Sequence, residues 1–309
     1  MTVRKWLPPL LGAIGLVCAI HFGWTFPWAR TTDLLADCDW TRLTAAGLVN
    51  IISLMAKAGA WYLLLARATS LRLWTAEAAT FVGAAVNSVS VSISGDVVRA
   101  QLAAERDGVP FGTAGAALMI SRVVEAVALV AVVAIACALF PLALPLRLAG
   151  AGALAALLAL VIWWSRVPAI PLDSRVARGW RDEFREFLRR IRPASASAIG
   201  CAMLSWWGQW LTYYWSMRAT HVAITPAAAL AALLVANLAG ILRLTPGNIG
   251  VMQGSLMVGM RAFGIRPGDA LAGGLALQAI QVLPILAIAT ALAGRRGLRW
   301  IGQRRAEET

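Results

Sequence analysis

The chain has 309 residues, 60% of them hydrophobic and 14% charged, with a mean hydropathy of +0.71. Too little polar surface remains to cover a soluble core of that size, which excludes a large water-soluble domain. The formal charge of +13 gathers between apolar stretches, as in a membrane protein facing anionic lipid, and does not form a nucleic-acid footprint.

A bilayer-spanning helix needs about 20 apolar residues. In chain order, spans are predicted at 7–27, 43–66, 112–140, 147–164, 196–217 and 270–293. The first carries bulky residues and no small-residue cleavage site, so it reads as an uncleaved span and not as a signal peptide. Two further apolar stretches, 75–94 and 226–243, differ from these. Each is followed by a glycine-centred break and then a short helix, at 97–107 and 251–263.

The charges indicate what those two stretches do. Residues 166–193 hold eight arginines against four acids, and both ends of the chain are basic. Placing all three basic regions in the cytoplasm requires each broken stretch to cross an even number of times, as a re-entrant hairpin does and as two full crossings would. The acidic loop at Asp33, Asp37 and Asp39 then faces the other side. The expected fold is an all-α polytopic membrane protein, a single transmembrane domain over 1–309 with six full spans and two re-entrant hairpins. Residues 1–140 and 146–294 form halves of inverted topology that meet near Pro141 to Pro145; the second contains the basic amphipathic connector 166–193 and is followed by a basic tail at 295–309. The halves echo each other weakly. Asn87 precedes Gly95 as Asn237 precedes Gly247, and Gly108 and Gly264 each lie fourteen residues before a polar residue, Arg122 and Gln278. Inverted repeats with broken helices are how many transporters build a site near mid-membrane.

Three interruptions carry the candidate chemistry. In Val86–Gly108, serines alternate before Gly95, and Asp96 and Arg99 lie one helical turn apart. Either Asp96 caps the short helix while Arg99 reaches headgroups, or the two form part of an anion site. In Ile120–Val127, Arg122 and Glu125 are again three apart within an apolar span. They serve either as a neutralised pair locking helices or as functional intramembrane charges. In Leu242–Gly254, Arg243, Pro246, Gly247, Asn248, Gly250 and Gln253 surround a break, which forms either a surface turn or a re-entrant tip lining a wet cavity. The aromatic run from Trp206 to Trp215 reads as mostly lipid-facing or interfacial. Cys18, Cys38, Cys137 and Cys201 show no CxxC spacing, and His21 and His221 lack metal-ligand partners. No metal, cofactor or enzymatic activity is expected.

At these motifs the chain resembles the transmembrane region of the lysylphosphatidylglycerol synthase/flippase family. The resemblance runs from about Leu43 to Leu292 and rests on three motifs. They are Asn87 with Gly95-Asp96-Val97-Val98-Arg99, Ser121-Arg122 with Glu125, and Thr245-Pro246-Gly247-Asn248-Ile249-Gly250. The chain departs from the family where serines replace the usual proline and basic residue ahead of Gly95. It departs again at Gln253, commonly glutamate, and at Gln278, often arginine. If those positions bind substrate or a coupling ion, the departures imply a less charged substrate or a passive mechanism. The aminoacyl-transferase domain of the full synthases is not in the chain, so lipid aminoacylation is not expected.

The resemblance implies a lipid translocase, and hydropathy with the basic segments points to the bacterial inner membrane with both termini cytoplasmic. Arg99, Arg122 and Arg243 are expected to receive an anionic headgroup or lipid phosphate, with backbone donors near Gly95 and from Gly247 to Gly250. A non-transporting partner of a lipid-synthesis enzyme and a small-solute transporter are the alternatives.

Overall fold

A computed structural model of the chain describes residues 28–66, 68–90, 94–139, 152, 195–240 and 245–307. The spans expected at 7–27 and 147–164, the connector at 166–193 and Arg243 lie outside the described residues. Within them, nine α-helices occur and no strand: α1 (Ala29–Ala36), α2 (Trp40–Leu65), α3 (Leu73–Val89), α4 (Ser94–Asp107), α5 (Phe111–Leu139), α6 (Ser195–Ala219), α7 (Pro226–Gly240), α8 (Val251–Gly259) and α9 (Pro267–Glu307). Segments of α2, α5 and α9, namely Trp40–Leu65, Phe111–Ala136 and Pro267–Leu292, are long and apolar enough to cross a bilayer.

Side-chain placement reverses that of a soluble protein. On α2, Leu48, Ile52 and Met55 are exposed along one stripe while Asn50 and Ser53 are buried. Such a surface suits lipid, where burying apolar area between helices gives little gain and close backbone approach and polar contacts take over. The pairing of α2 with α6 follows that rule. The helices run antiparallel, from the Asp39 amide on the Ala219 carbonyl to Gly59 beside Cys201. Midway, Gly208 leaves room for Ser53, whose hydroxyl donates to the Ser205 carbonyl at 2.8 Å.

The two unusual apolar stretches each fold back on themselves. Helices α3 and α4 are antiparallel: Arg72 meets Asp107 at one end, and Asn87 meets Gly95 at the other. Gly83 and Gly95 face each other so closely that a Cβ on Gly95 would overlap the Gly83 carbonyl oxygen. The expectation of a break centred on Gly95 is therefore corrected. Gly95 lies in the first turn of α4, and its missing side chain serves the helix crossing, not a turn.

The second hairpin, α7 with α8, does turn at its glycine. Its tip contains the 3-10 turn Pro246–Asn248, with Gly247 at φ 59° and Asn248 at φ 55°. Gly240 packs on Asn248 near the tip and Val235 on Gly259 further back, so these strokes are also antiparallel. The tips of the hairpins touch, since Gly247 lies against the Ser88 carbonyl.

Two buried clusters flank this meeting point. One joins Trp61, Leu64 and Leu65 of α2 to alanines of α3, α4, α5 and α6. The other joins Met217 of α6 to Leu230 and Leu233 of α7, Leu256 of α8 and Leu277 of α9. Along α9, Pro284 lies within the helix and cannot donate to the Ile280 carbonyl. Asn50 Nδ2 reaches that freed carbonyl at 3.5 Å.

Candidate functional site

Between the hairpins lies a cavity of about 550 Å³. The first hairpin lines it with Asn87, Ser88 and Ser90, and the second with Asn237, Thr245, Gly247 and Asn248. Arg122 from α5, Gln209 and Tyr213 from α6, and Gln278 and Gln281 from α9 complete the polar wall.

Arg122 belongs to a cluster of five charges, the other four lying behind it. Arg122 Nη2 donates to Asp96 Oδ2 at 2.6 Å, and its Nη1 donates to Glu125 Oε2 at 3.3 Å. Glu125 also accepts from Lys57 Nζ at 2.9 Å. Arg99 Nη1 lies 3.5 Å from Asp96 Oδ1. Its guanidinium stacks over the Trp61 ring at 4.8 Å, an attractive cation–π placement. Three cations thus face two carboxylates and leave one net positive charge. Arg99 is only 3% exposed, whereas the Arg122 side chain is 39% exposed. The Lys57 side chain is 26% exposed but does not line the cavity, so of the three cations Arg122 is the one on its wall.

The expected site residues separate into those on the wall and those behind it. Asn87, Arg122, Asn237, Gly247, Asn248 and Gln278 line the cavity. Asp96, Arg99 and Glu125 form the layer behind Arg122. Arg99 does not reach for headgroups, because it is held under Trp61. Gln253 is buried, accepting from the Gly250 amide at 2.7 Å and donating to Gln278 Oε1 at 3.4 Å. Gln278 in turn donates to the Gly247 carbonyl at 3.0 Å, which fixes the tip that Pro246 begins. Two expected backbone donors are already engaged, Gly95 by Asn87 Oδ1 at 3.0 Å and Gly250 by Gln253.

Several wall residues had no motif to announce them. Gln281 Nε2 donates to Gln209 Oε1 at 3.2 Å, and Gln209 Nε2 donates to Asn50 Oδ1 at 3.0 Å and Ser53 Oγ at 3.1 Å. Together these amides form a hydrogen-bonded ladder from α2 to α9. Lys57 offered one signal, a lysine inside a predicted span. The aromatic run is also less peripheral than expected. Tyr213 is buried against Met252, while Trp206 and Trp210 donate their indole N–H groups to the carbonyls of Glu125 and Pro226. An indole N–H in a low-dielectric setting needs such a partner.

Helices with lipid-facing apolar stripes around a polar cavity and a buried charge cluster define a polytopic helical membrane protein. The chain matches the family model described as the lysylphosphatidylglycerol synthase TM region over residues 10–289 and belongs to that family. No curated protein matches it. The family ties the chain to a membrane lipid-related role.

Proposed function

We propose that this protein translocates a lipid bearing an anionic phosphate between the leaflets of the bacterial inner membrane. One observation carries the reading: a polar cavity between two hairpins, with Arg122 as the outlet of a buried cluster of net charge +1. Its volume of about 550 Å³ falls in the ~300–1,000 Å³ range of ligand pockets. That is room for a headgroup, with the acyl chains left in the bilayer. A phosphate would be drawn to Arg122 in competition with Asp96 and Glu125. Lys57 and Arg99 would keep those carboxylates partnered as Arg122 turned.

The same reading takes the architecture as six full spans and two re-entrant hairpins in inverted halves, with both termini cytoplasmic. Support comes from the paired positions. Asn87 and Asn237 both reach the cavity, as do Arg122 and Gln278. Each of the latter lies fourteen residues after a glycine of positive φ, Gly108 at 66° and Gly264 at 72°. The protein acts as a transporter and not as an enzyme. A scaffold for a lipid-synthesis enzyme would have no need of a cavity at the hairpin tips.

The test is headgroup translocation in proteoliposomes made with phosphatidylglycerol. Wild-type protein should accelerate exchange between leaflets, and Arg122→Gln should lower the rate at least ~tenfold, since charge-assisted contacts in a water-poor site count for more than in water. An Arg122→Gln protein that folds and translocates at the wild-type rate would refute the site.

A further inference from the structure

We infer that the cavity selects a phosphodiester lipid whose headgroup is neutral and rich in hydroxyls, such as a glycerol, polyol or sugar, and rejects a cationic headgroup. The inference rests on the translocase reading and specifies the substrate of the same site.

Charge supplies the first argument. Among the described residues, Arg122 is the only charged side chain on the wall. Asp96 and Glu125 stand behind Arg122, each already held by two cations. With Arg122 engaged by the phosphate, an ammonium-bearing headgroup would find no carboxylate on the described wall to receive it, and a desolvated charge left unpaired costs several kcal/mol, enough for more than tenfold discrimination. An aromatic cage is no substitute, because Tyr213 is the only aromatic residue on the described wall. Among the described residues the wall offers one cation, which suits a phosphodiester, with its one charge, better than a doubly ionised phosphomonoester.

Hydrogen-bonding capacity supplies the second. The Asn248 side-chain amide has no hydrogen-bond partner among the described residues, and the Asn237 amide donates to the Leu233 carbonyl at 2.8 Å while its Oδ1 stays open. Ser88 donates its proton to the Ala84 carbonyl and keeps acceptor capacity. The wall therefore offers donors and acceptors side by side, as hydroxyl groups require, since each both gives and takes a hydrogen bond.

The experiment uses the full chain in detergent and native mass spectrometry of bound lipid. Its probes are phosphatidylglycerol, phosphatidic acid, phosphatidylethanolamine and lysylphosphatidylglycerol, with sn-glycerol 3-phosphate as a soluble competitor. Phosphatidylglycerol should bind at least ~tenfold more tightly than each of the other three lipids. The informative variant is Asn248→Asp, which places an acid on the wall while keeping a residue that tolerates the left-handed backbone at φ 55°. It should weaken phosphatidylglycerol and strengthen lysylphosphatidylglycerol, reversing the order. Asn237→Leu, remote from the charge cluster, should bring phosphatidylglycerol down toward phosphatidic acid. If the wild type binds lysylphosphatidylglycerol as tightly as phosphatidylglycerol, or Asn248→Asp leaves the order unchanged, the selectivity inference fails while the anion site stands. If no anionic lipid binds in a manner sensitive to Arg122→Gln, or sn-glycerol 3-phosphate displaces phosphatidylglycerol at equal concentration, the lipid-site reading itself fails.

Discussion

The hairpin tips meet at Gly247, where a single methyl group tests the architecture. A Cβ on Gly247 would lie 2.7 Å from the Ser88 carbonyl oxygen and 3.4 Å from its carbonyl carbon. Both atoms are backbone and cannot swing aside, so the tips would have to part. The residue is also left-handed, at φ 59° and ψ 16°. Gly264 provides the matched comparison: it is left-handed at φ 72° and ψ 11°, but nothing lies within 4 Å of its would-be Cβ. Alanine at either position incurs the left-handed cost, roughly 1–2 kcal/mol. Only Gly247→Ala adds overpacking, typically about 1–3 kcal/mol. Gly264→Ala should therefore lose about 1–2 kcal/mol and Gly247→Ala about 2–5 kcal/mol. Unfolding titrations with dodecyl sulfate in mixed micelles would measure both. Gly247→Ala should also change the translocation rate, whereas Gly264→Ala should not. Equal stability losses would refute the contact between the tips.

Two further outcomes follow from individual charges. Lys57→Met removes the nearer of the two cations on Glu125, at 2.9 Å, and leaves Arg122 at 3.3 Å; it should destabilise the fold by about 1–3 kcal/mol, the usual cost of losing a hydrogen bond to a charged group. A second change, Glu125→Gln, should restore part of that loss in the same unfolding titration, and a loss below ~1 kcal/mol for Lys57→Met alone would contradict the cluster. At the open end of the first hairpin, the Asp107 side chain is only 2% exposed and accepts from the Arg72 amide and Nε, each at 2.8 Å. Burial pushes its carboxyl up, but the bonds from Arg72 outweigh burial and hold it below the ordinary carboxylate range. A carboxylate depressed in this way stabilises the fold above its ordinary pKa of ~3.9, and the contribution is lost as pH falls through the lower folded value. Asp107→Asn should cost about 1–3 kcal/mol at neutral pH. Melting curves of variant and wild type should converge in acid, and a constant gap down to pH ~2 would refute the assignment.

Periodicity and length made the helices legible. The spans expected at 43–66, 112–140 and 196–217 fall on α2, α5 and α6, and both hairpins fall where apolar runs are interrupted. Helix partners were harder to read, because inside lipid the close contacts use Gly, Ala and Ser, residues abundant throughout the chain. Gly95 illustrates the difficulty: a glycine beside an acid at a break reads as a turn, yet it marks a helix crossing with Gly83. Asn50, Gln209 and Gln281 carried no spacing signal, since a lone amide in a span gives no indication of its partner. Lys57 carried a stronger one, as one of only two lysines in the chain. Its distance from Glu125 in sequence hid the ion pair.

The departures at Gln253 and Gln278 change meaning once their contact is known. Taken separately, a glutamine where the family commonly has glutamate and another where it often has arginine imply lost substrate or ion ligands. In the structure the two amides hydrogen-bond each other at 3.4 Å, behind and beside the Gly247 tip. Exchanging a carboxylate and a guanidinium at one contact for two amides leaves the local net charge unchanged. It preserves the brace on the tip and avoids desolvating an ion pair. Gln278 lines the cavity and Gln253 is buried behind it, so glutamine in place of arginine at 278 takes a charge off the wall while the contact as a whole stays neutral. The departures leave Arg122 as the only charged group on the described wall, opposite a half built from neutral amides. Under the proposed translocase reading, that asymmetry suits a monoanionic lipid with a neutral headgroup.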